Sequence, residues 1–143
     1  QSAYCQKTKI KAGQKDINKD NHIDSFFPSL KFWYFPFEVT KNTSFMFGPG
    51  SHRMTYNRMV LESEKIREMP ETVDHSILSS RGKLSYLSQL QGSLRFNDSD
   101  LKHMIMKMES INVPANTLVI ADVSGIHSRG DGEENNLHSL ISQ

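Results

Sequence analysis

The aromatic run Lys31-Phe-Trp-Tyr-Phe-Pro-Phe-Glu-Val39 constrains the fold of this chain more than any other feature. Its dense aromatic side chains and closing valine have the composition of a buried β-strand. Pro36 has no backbone N–H to donate, so we expect a bulge or a strand edge at that point. The chain is therefore expected to build a sheet around this run.

Other short apolar runs are separated by turn residues. The run Ser44 to Phe47 ends at Gly48-Pro49-Gly50, a strong turn signal, and the polar residues 40–43 before it predict a hairpin loop. Thr117-Leu-Val-Ile-Ala121 is the clearest candidate for a buried strand, and residues 137–141 predict a final strand. Several short strands of this kind predict a β-sandwich or barrel.

Helices and loops are predicted between these strands. Residues 55–67 mix apolar with charged side chains and lie before Pro70, which favours an exposed helix. A short helix is also possible at residues 84–90. Asp98-Ser-Asp100 predicts a capped helical turn, although the alternating methionines at positions 104, 106 and 108 suit a strand equally well. Residues 122–132, with three glycines, predict a loop.

Length and composition predict one soluble globular domain over residues 1–143. The chain is 36% hydrophobic and 23% charged, which does not fit a disordered protein. Its net charge of +1 comes from 17 basic and 16 acidic residues that are well mixed, so neither nucleic acid nor an acidic membrane is an expected partner. The lone Cys5 excludes an internal disulfide and a cysteine-rich zinc site. It favours a reducing compartment such as the cytoplasm.

The segment Asn21-His22-Ile23-Asp24 lies just before the aromatic run. Residues two apart on a strand point to the same face, so His22 and Asp24 can converge on one ion. An imidazole and a carboxylate, completed by a distant second histidine, form the facial triad of iron(II) oxygenases. Taken alone, however, a His-x-Asp pattern arises often by chance, and a surface loop is the better interpretation of it.

A calcium loop is the alternative for the same segment. Oxygen-bearing side chains stand at positions one, three, five and nine of an EF-hand pattern, namely those of Asp16, Asn18, Asp20 and Asp24. Asn21 replaces the turn glycine of that pattern, and Phe27 stands where a bidentate glutamate is needed. The loss of the glutamate removes two oxygens from the shell, so a calcium-binding loop is the weaker hypothesis.

Four stretches between His22 and about Gly130 carry a resemblance to a known family. They are His22-Ile-Asp24-Ser-Phe, Leu30-Lys-Phe-Trp-Tyr-Phe, Phe47-Gly-Pro-Gly-Ser-His-Arg-Met-Thr55 and Val113-Pro-Ala-Asn-Thr-Leu-Val-Ile-Ala-Asp-Val-Ser-Gly-Ile-His-Ser-Arg-Gly130. In order and spacing they resemble the phytanoyl-CoA dioxygenase family of iron(II)/2-oxoglutarate oxygenases. The resemblance implies a mainly β fold, a double-stranded β-helix of the cupin-like jelly-roll type with a few inserted helices. It also implies that the chain is the C-terminal major part of that barrel.

The resemblance assigns the metal site residue by residue. His22, Asp24 and His127 match the three iron(II) ligands of the family. Related halogenases replace the carboxylate with a small residue, so the intact Asp24 implies hydroxylation of a small organic substrate with dioxygen and 2-oxoglutarate. Trp33 and Tyr34 are expected to line the substrate pocket, although buried aromatic residues are ordinarily core.

The cosubstrate position departs from the family pattern. The family has an arginine on the final strand that grips the far carboxylate of 2-oxoglutarate, and this chain has His138 at that spacing. Arg129 and Lys31 are the alternative cations, since only a positive side chain pairs well with that carboxylate. A catalytically inactive barrel of the same family is therefore a second hypothesis. His52, in the Pro-Gly-Ser-His turn, is expected to be structural.

Overall fold

A computed structural model describes residues 2–8, 17–40, 45–68, 94–130 and 136–142. The statements on structure refer to these residues. The predicted helix at residues 84–90 lies outside them. No helix in these segments is long and apolar enough to cross a membrane.

The described chain is mainly β, with two antiparallel sheets and few helices. The strands are β1 (Ser2–Thr8), β2 (Asn21–His22), β3 (Leu30–Phe35), β4 (Phe45–Phe47), β5 (Arg95–Phe96), β6 (Glu109–Ile111), β7 (Thr117–Asp122), β8 (His127–Arg129) and β9 (Asn136–Ser142). One sheet has the order β1-β9-β3-β7 and the other β5-β2-β8-β4-β6. The helices are α1 (Tyr56–Glu68) and α2 (Asp98–His103), and a single 3-10 turn covers Ile17–Lys19.

The aromatic run forms β3 and leaves its sheet where Pro36 interrupts the ladder. Val39 then makes an isolated bridge with Val113, and the chain continues into β4 of the other sheet. The predicted hairpin between the two runs is therefore wrong, because β3 and β4 belong to different sheets. Its residues 41–44 lie outside the described segments.

The two sheets pack against each other through a shared apolar cluster. Trp33, Phe35, Val39 and Val123 are buried there, and Phe45 of the five-stranded sheet packs against them. The Trp33 and Phe45 ring centroids are 4.6 Å apart. The opposite face of the five-stranded sheet carries a second cluster with the helices, formed by Ile23, Leu61, Leu94, Phe96, Leu101 and Ile126.

Strand β7 is amphipathic, so the prediction that it is a buried strand is wrong for one of its faces. Leu118 and Ile120 are 50% and 54% exposed, whereas Val119 and Ala121 pack on the core between the sheets. The alternation arises because side chains of a strand point to opposite faces and only one face of this sheet meets the other sheet.

Both helices begin at residues with capping side chains. Thr55 Oγ1 accepts a hydrogen bond from the Arg58 N–H at the start of α1, a helix that the sequence predicts. At α2, the Asn97 side chain accepts from the Asp100 N–H, and the Asp100 carboxylate accepts from the Asn97 N–H. The methionine-rich residues 104–108 form no strand. Ile105 has a φ of 55°, which breaks the extended backbone that alternation requires.

Candidate metal centre

His22 and His127 lie directly opposite each other on adjacent antiparallel strands. They form the register pair between β2 and β8, and their ring centroids are 4.5 Å apart. Cross-strand pairs of this kind share one face of the sheet, so both rings point between the two sheets. The prediction that residues 122–132 form a loop is thus wrong at its centre, because His127 begins a strand.

Asp24 completes a group of three possible metal ligands. It follows β2, and its N–H donates to the Val123 carbonyl at 2.9 Å, which fixes its backbone beside the turn between β7 and β8. Its Oδ1 lies 3.5 Å from His22 Nε2 and its Oδ2 3.6 Å from His127 Nε2. One ligand atom from each of the three residues lies within 4.8 Å of the others, so one metal ion can be held between them.

Backbone carbonyls orient both imidazole rings. His22 Nδ1 lies 2.7 Å from the Asp20 carbonyl oxygen, and His127 Nδ1 lies 2.9 Å from that of Gly125. A carbonyl only accepts, so each Nδ1 carries a proton and each Nε2 is the ring atom that faces Asp24. In a neutral ring, this Nε2 holds the lone pair that a metal ion would bind. This outer hydrogen bonding is the arrangement that metal-binding histidines commonly have.

The charge states of the group suit a cation. Burial, reinforced by the neighbouring His127, lowers the pKa of His22 to about 4, so its ring is neutral at pH 7. Burial alone would raise the pKa of Asp24. The hydrogen bond with His127 and the charge of Lys31 outweigh burial and hold that pKa well below its ordinary value. The group therefore offers two imidazole nitrogens, one of them in a ring that is neutral at pH 7, and one carboxylate.

Lys31 is the predicted cosubstrate residue that lies beside this group. Its Nζ donates to Asp24 Oδ2 at 2.5 Å and lies 5.8 Å from the centre of the Trp33 ring. Arg129 is half-buried at the end of β8, two residues after His127, and lines a cavity between the five-stranded sheet and α2. His138 lies on β9, one position beyond the β3 to β9 register pair Tyr34↔Ser139.

The two residues predicted to line a substrate pocket lie on opposite faces of β3. The buried Trp33 ring is 6.4 Å from the His127 ring, whereas the Tyr34 hydroxyl donates to Asn116 Oδ1 on an exposed surface. Phe45, which the sequence did not single out, lies 5.6 Å from the His127 ring. Trp33 and Phe45, and not Tyr34, therefore form the aromatic wall beside the ligand group.

A buried polar network holds the turn that leads into His127. Arg58 is 2% exposed, and its Nε donates to Glu62 Oε1 at 2.6 Å. Its Nη1 donates to the Ser51 carbonyl and its Nη2 to the Ser124 carbonyl at 2.7 Å. Ser51 Oγ accepts from the Ile126 N–H at 2.7 Å. We call Arg58, Glu62, Ser51 and the backbone groups of Ser124 and Ile126 that they bind the Arg58 clamp. Sequence reasoning missed it, although Ser51 lies in the Pro-Gly-Ser-His turn.

Gly125 is required by close packing in the same turn. A Cβ at this position would lie 2.7 Å from Phe47 Cζ and 3.0 Å from the Asp122 carbonyl oxygen. Phe47 pairs with His127 in the β4 to β8 ladder. The absence of a side chain thus allows the Phe47 ring to cover the turn immediately before the ligand.

The Asp24 carboxylate of the predicted calcium loop has partners of a different kind. That carboxylate faces two histidines and Lys31, and the Asp20 carbonyl is engaged by His22. Asp16 lies outside the described residues. The exposed His52 and His103 belong to no ligand group within the described chain, and His75 lies outside it.

In comparisons with known proteins, no family model, no curated protein and no solved structure matches this chain.

Proposed function

We propose that this chain is the barrel of an iron(II)- and 2-oxoglutarate-dependent dioxygenase that hydroxylates a small organic substrate. The observation that carries the proposal is the convergence of His22 Nε2, His127 Nε2 and the Asp24 carboxylate, with both Nδ1 atoms bound to backbone carbonyls. Two imidazoles and one carboxylate are the donor set of non-haem iron(II) oxygenases. The motif resemblance to the phytanoyl-CoA dioxygenase family points to the same chemistry.

The connectivity of the strands supports a double-stranded β-helix. Apart from the short β5, the described strands divide into two sheets of four, ordered β1-β9-β3-β7 and β2-β8-β4-β6. Successive strands alternate between the two sheets except at the step from β4 to β6. An eight-stranded double sheet with such crossings is the architecture of a jelly roll. In this fold the ligand group lies between the sheets.

The residues present fit iron(II) better than calcium. Calcium takes six to eight oxygen ligands, and this group offers two nitrogens and one carboxylate. Three protein ligands leave positions for a cosubstrate and dioxygen, and a bound iron(II) would supply oxygen activation coupled to oxidation of 2-oxoglutarate. The chain itself supplies two imidazoles at fixed orientation, a deprotonated Asp24, and the Trp33 and Phe45 rings that cover the group on one side.

Lys31 is the best candidate to bind the cosubstrate carboxylate. Its ammonium group lies within 2.5 Å of one Asp24 oxygen, and a carboxylate has a second oxygen that can bind a metal. A cation at the edge of the ligand group is positioned for an anionic cosubstrate, which compensates for His138 at the usual arginine position. Arg129 and His138 remain secondary candidates for this role.

A catalytically inactive barrel of the same family is the second candidate, and the ion pair between Lys31 and Asp24 favours it. If Lys31 holds Asp24 too tightly, its ammonium occupies the carboxylate that a metal needs. In an active enzyme, iron(II) and 2-oxoglutarate bind despite the contact between Lys31 and Asp24. In an inactive barrel, this contact prevents their binding.

An anaerobic titration with iron(II) and then 2-oxoglutarate tests the proposal. We expect a visible charge-transfer band to appear only when both are present, and succinate to form once oxygen is admitted. Zinc in place of iron, and succinate in place of 2-oxoglutarate, are the controls that should give no band. Iron binding without a band would contradict the cosubstrate assignment and favour the inactive barrel.

A further inference from the structure

A cavity of about 540 Å³ lies on the side of the five-stranded sheet that faces away from the metal centre. Asn21 and Ser128 line it, and each is the chain neighbour of a proposed metal ligand, His22 or His127. Neighbouring residues on a strand point to opposite faces, so one sheet separates the cavity from the ligand group. Helix α2 and the methionine-rich residues 104–108 form its other side.

The charged residues around the cavity are mainly basic. Lys19, Lys102 and Lys107 line it, against the single acidic residue Asp98. Lys102 and Lys107 are exposed, and neither forms an ion pair within the described residues. Their ammonium groups are hydrated and able to receive an anion. The local excess of positive charge contrasts with a chain whose net charge is only +1.

The same cavity has an adaptable apolar wall. Met46, Leu101, Met106 and Met108 line it, and three of these four are methionines. Thioether side chains have several rotatable bonds and adjust to ligands of different shape. Met106 and Met108 also pack against the core cluster that the helices form on this face of the sheet, so the wall is anchored. A volume of this size lies within the range of small-molecule pockets.

We propose that this cavity binds a small organic anion that has an apolar body and a phosphate or carboxylate head group. The head group pairs with Lys102 and Lys107, and the apolar body lies against the methionines. Two lysines favour the doubly charged phosphate over the carboxylate. The site is distinct from the metal centre and does not depend on the proposed dioxygenase activity.

Calorimetric titration of the full chain with short amphiphiles tests the proposal, in the presence of a chelator so that the metal group takes no ligand. Octyl phosphate should bind at one per chain, octanoate more weakly, and octyltrimethylammonium not at all. Inorganic phosphate should bind at least about tenfold more weakly than octyl phosphate, because it lacks the apolar body. Equal binding of the cationic amphiphile, or no binding of octyl phosphate, would overturn the proposal.

Matched variants locate the site. Lys102→Gln with Lys107→Gln should weaken octyl phosphate binding about tenfold or more, because charge-assisted hydrogen bonds are lost. Arg67→Gln removes one exposed positive charge from α1 outside the cavity and should leave binding unchanged. Unchanged binding in the double lysine variant, or equal weakening in Arg67→Gln, would overturn the assignment to this cavity.

Discussion

His22 and His127 are cross-strand neighbours in the β2 to β8 ladder, so the spacing between the two imidazoles is set by backbone pairing. The single register pair between these short strands leaves the position of His127 dependent on the turn that precedes it. That turn is tied to the Pro-Gly-Ser-His segment and to α1 by the Arg58 clamp. Residues of the Arg58 clamp do not themselves bind the metal, but changing them should therefore alter metal affinity.

Ser51→Ala is expected to weaken both folding and iron(II) binding. The Ile126 N–H would lose its buried acceptor, which costs about 1–3 kcal/mol of unfolding free energy. Looser positioning of His127 should weaken iron(II) binding about tenfold, at the low end of what outer-shell changes do. Denaturant unfolding and anaerobic calorimetry measure the two effects. Ser110→Ala, which removes an exposed hydrogen bond to Asn112, is the control and should change neither.

Arg58→Met should destabilise the protein more than the double variant Arg58→Met with Glu62→Leu. The single change leaves the buried Glu62 carboxylate without its cation and is expected to cost about 3–5 kcal/mol. Removing both charges avoids that penalty, although the Ser51 and Ser124 carbonyls still lose their donor. Chemical denaturation of both variants and of Arg67→Met, an exposed helix control, checks this order. A double variant less stable than Arg58→Met would contradict it.

Lys31→Met should separate metal binding from cosubstrate binding. Loss of the ammonium group removes a charge-assisted contact, so 2-oxoglutarate should bind about tenfold or more weakly to the iron-loaded protein. Iron(II) affinity should hold or improve, because the cation that competes for Asp24 is gone. Lys65→Met removes a similar ion pair, with Asp100 at 2.6 Å, away from the site and serves as the control. Unchanged 2-oxoglutarate affinity in Lys31→Met would exclude this role.

The metal-free protein should lose stability as the pH falls from 6.5 toward 4. Because burial lowers the pKa of His22 from 6.5 to about 4, the folded protein binds fewer protons than the unfolded chain in this interval. The free energy of unfolding is therefore unaffected by His22 above pH 6.5 and is lower by about 3 kcal/mol at pH 4. Below pH 3.8, protonation of Asp24 adds to the loss, because its pKa is also lowered.

Urea unfolding of His22→Gln across the same pH interval measures this effect, since the variant lacks the titrating ring. Its stability should depend less on pH than that of the unsubstituted protein. His103→Gln, which changes an exposed histidine, should retain the full dependence. Parallel pH profiles for His22→Gln and the unsubstituted protein would show that another group is responsible.

Local sequence patterns predict individual strands and helices better than they predict which strands pair with each other. The aromatic run, Pro36 and the capped turn near Asp98 depend on neighbours in the chain, so their signals are local. The assignment of β3 and β4 to different sheets depends on long-range pairing, which no local pattern encodes. The sequence also predicts burial of Leu118 and Ile120, which are about half exposed. Hydrophobicity does not tell which face of a strand another sheet covers.

For the candidate site, the sequence identified residue types, and the fold determined which of them meet. His22 and Asp24 are two residues apart, so their common direction was predictable, whereas the approach of His127 required the β2 to β8 pairing. Arg58 had the signature of an exposed helix residue. Only the packing of α1 against the turn before β8 makes it a buried donor to Ser124.

Anaerobic calorimetric titration with iron(II) of the unsubstituted protein, His22→Ala and His127→Ala tests the central claim most directly. The unsubstituted chain should bind one iron(II) ion, and each variant should lose at least about two orders of magnitude in affinity, because one of three protein ligands is gone. His52→Ala, which removes an exposed histidine outside the ligand group, should bind iron(II) like the unsubstituted protein. If His22→Ala and His127→Ala bind iron(II) as tightly as the unsubstituted protein, the assignment of the metal centre is wrong.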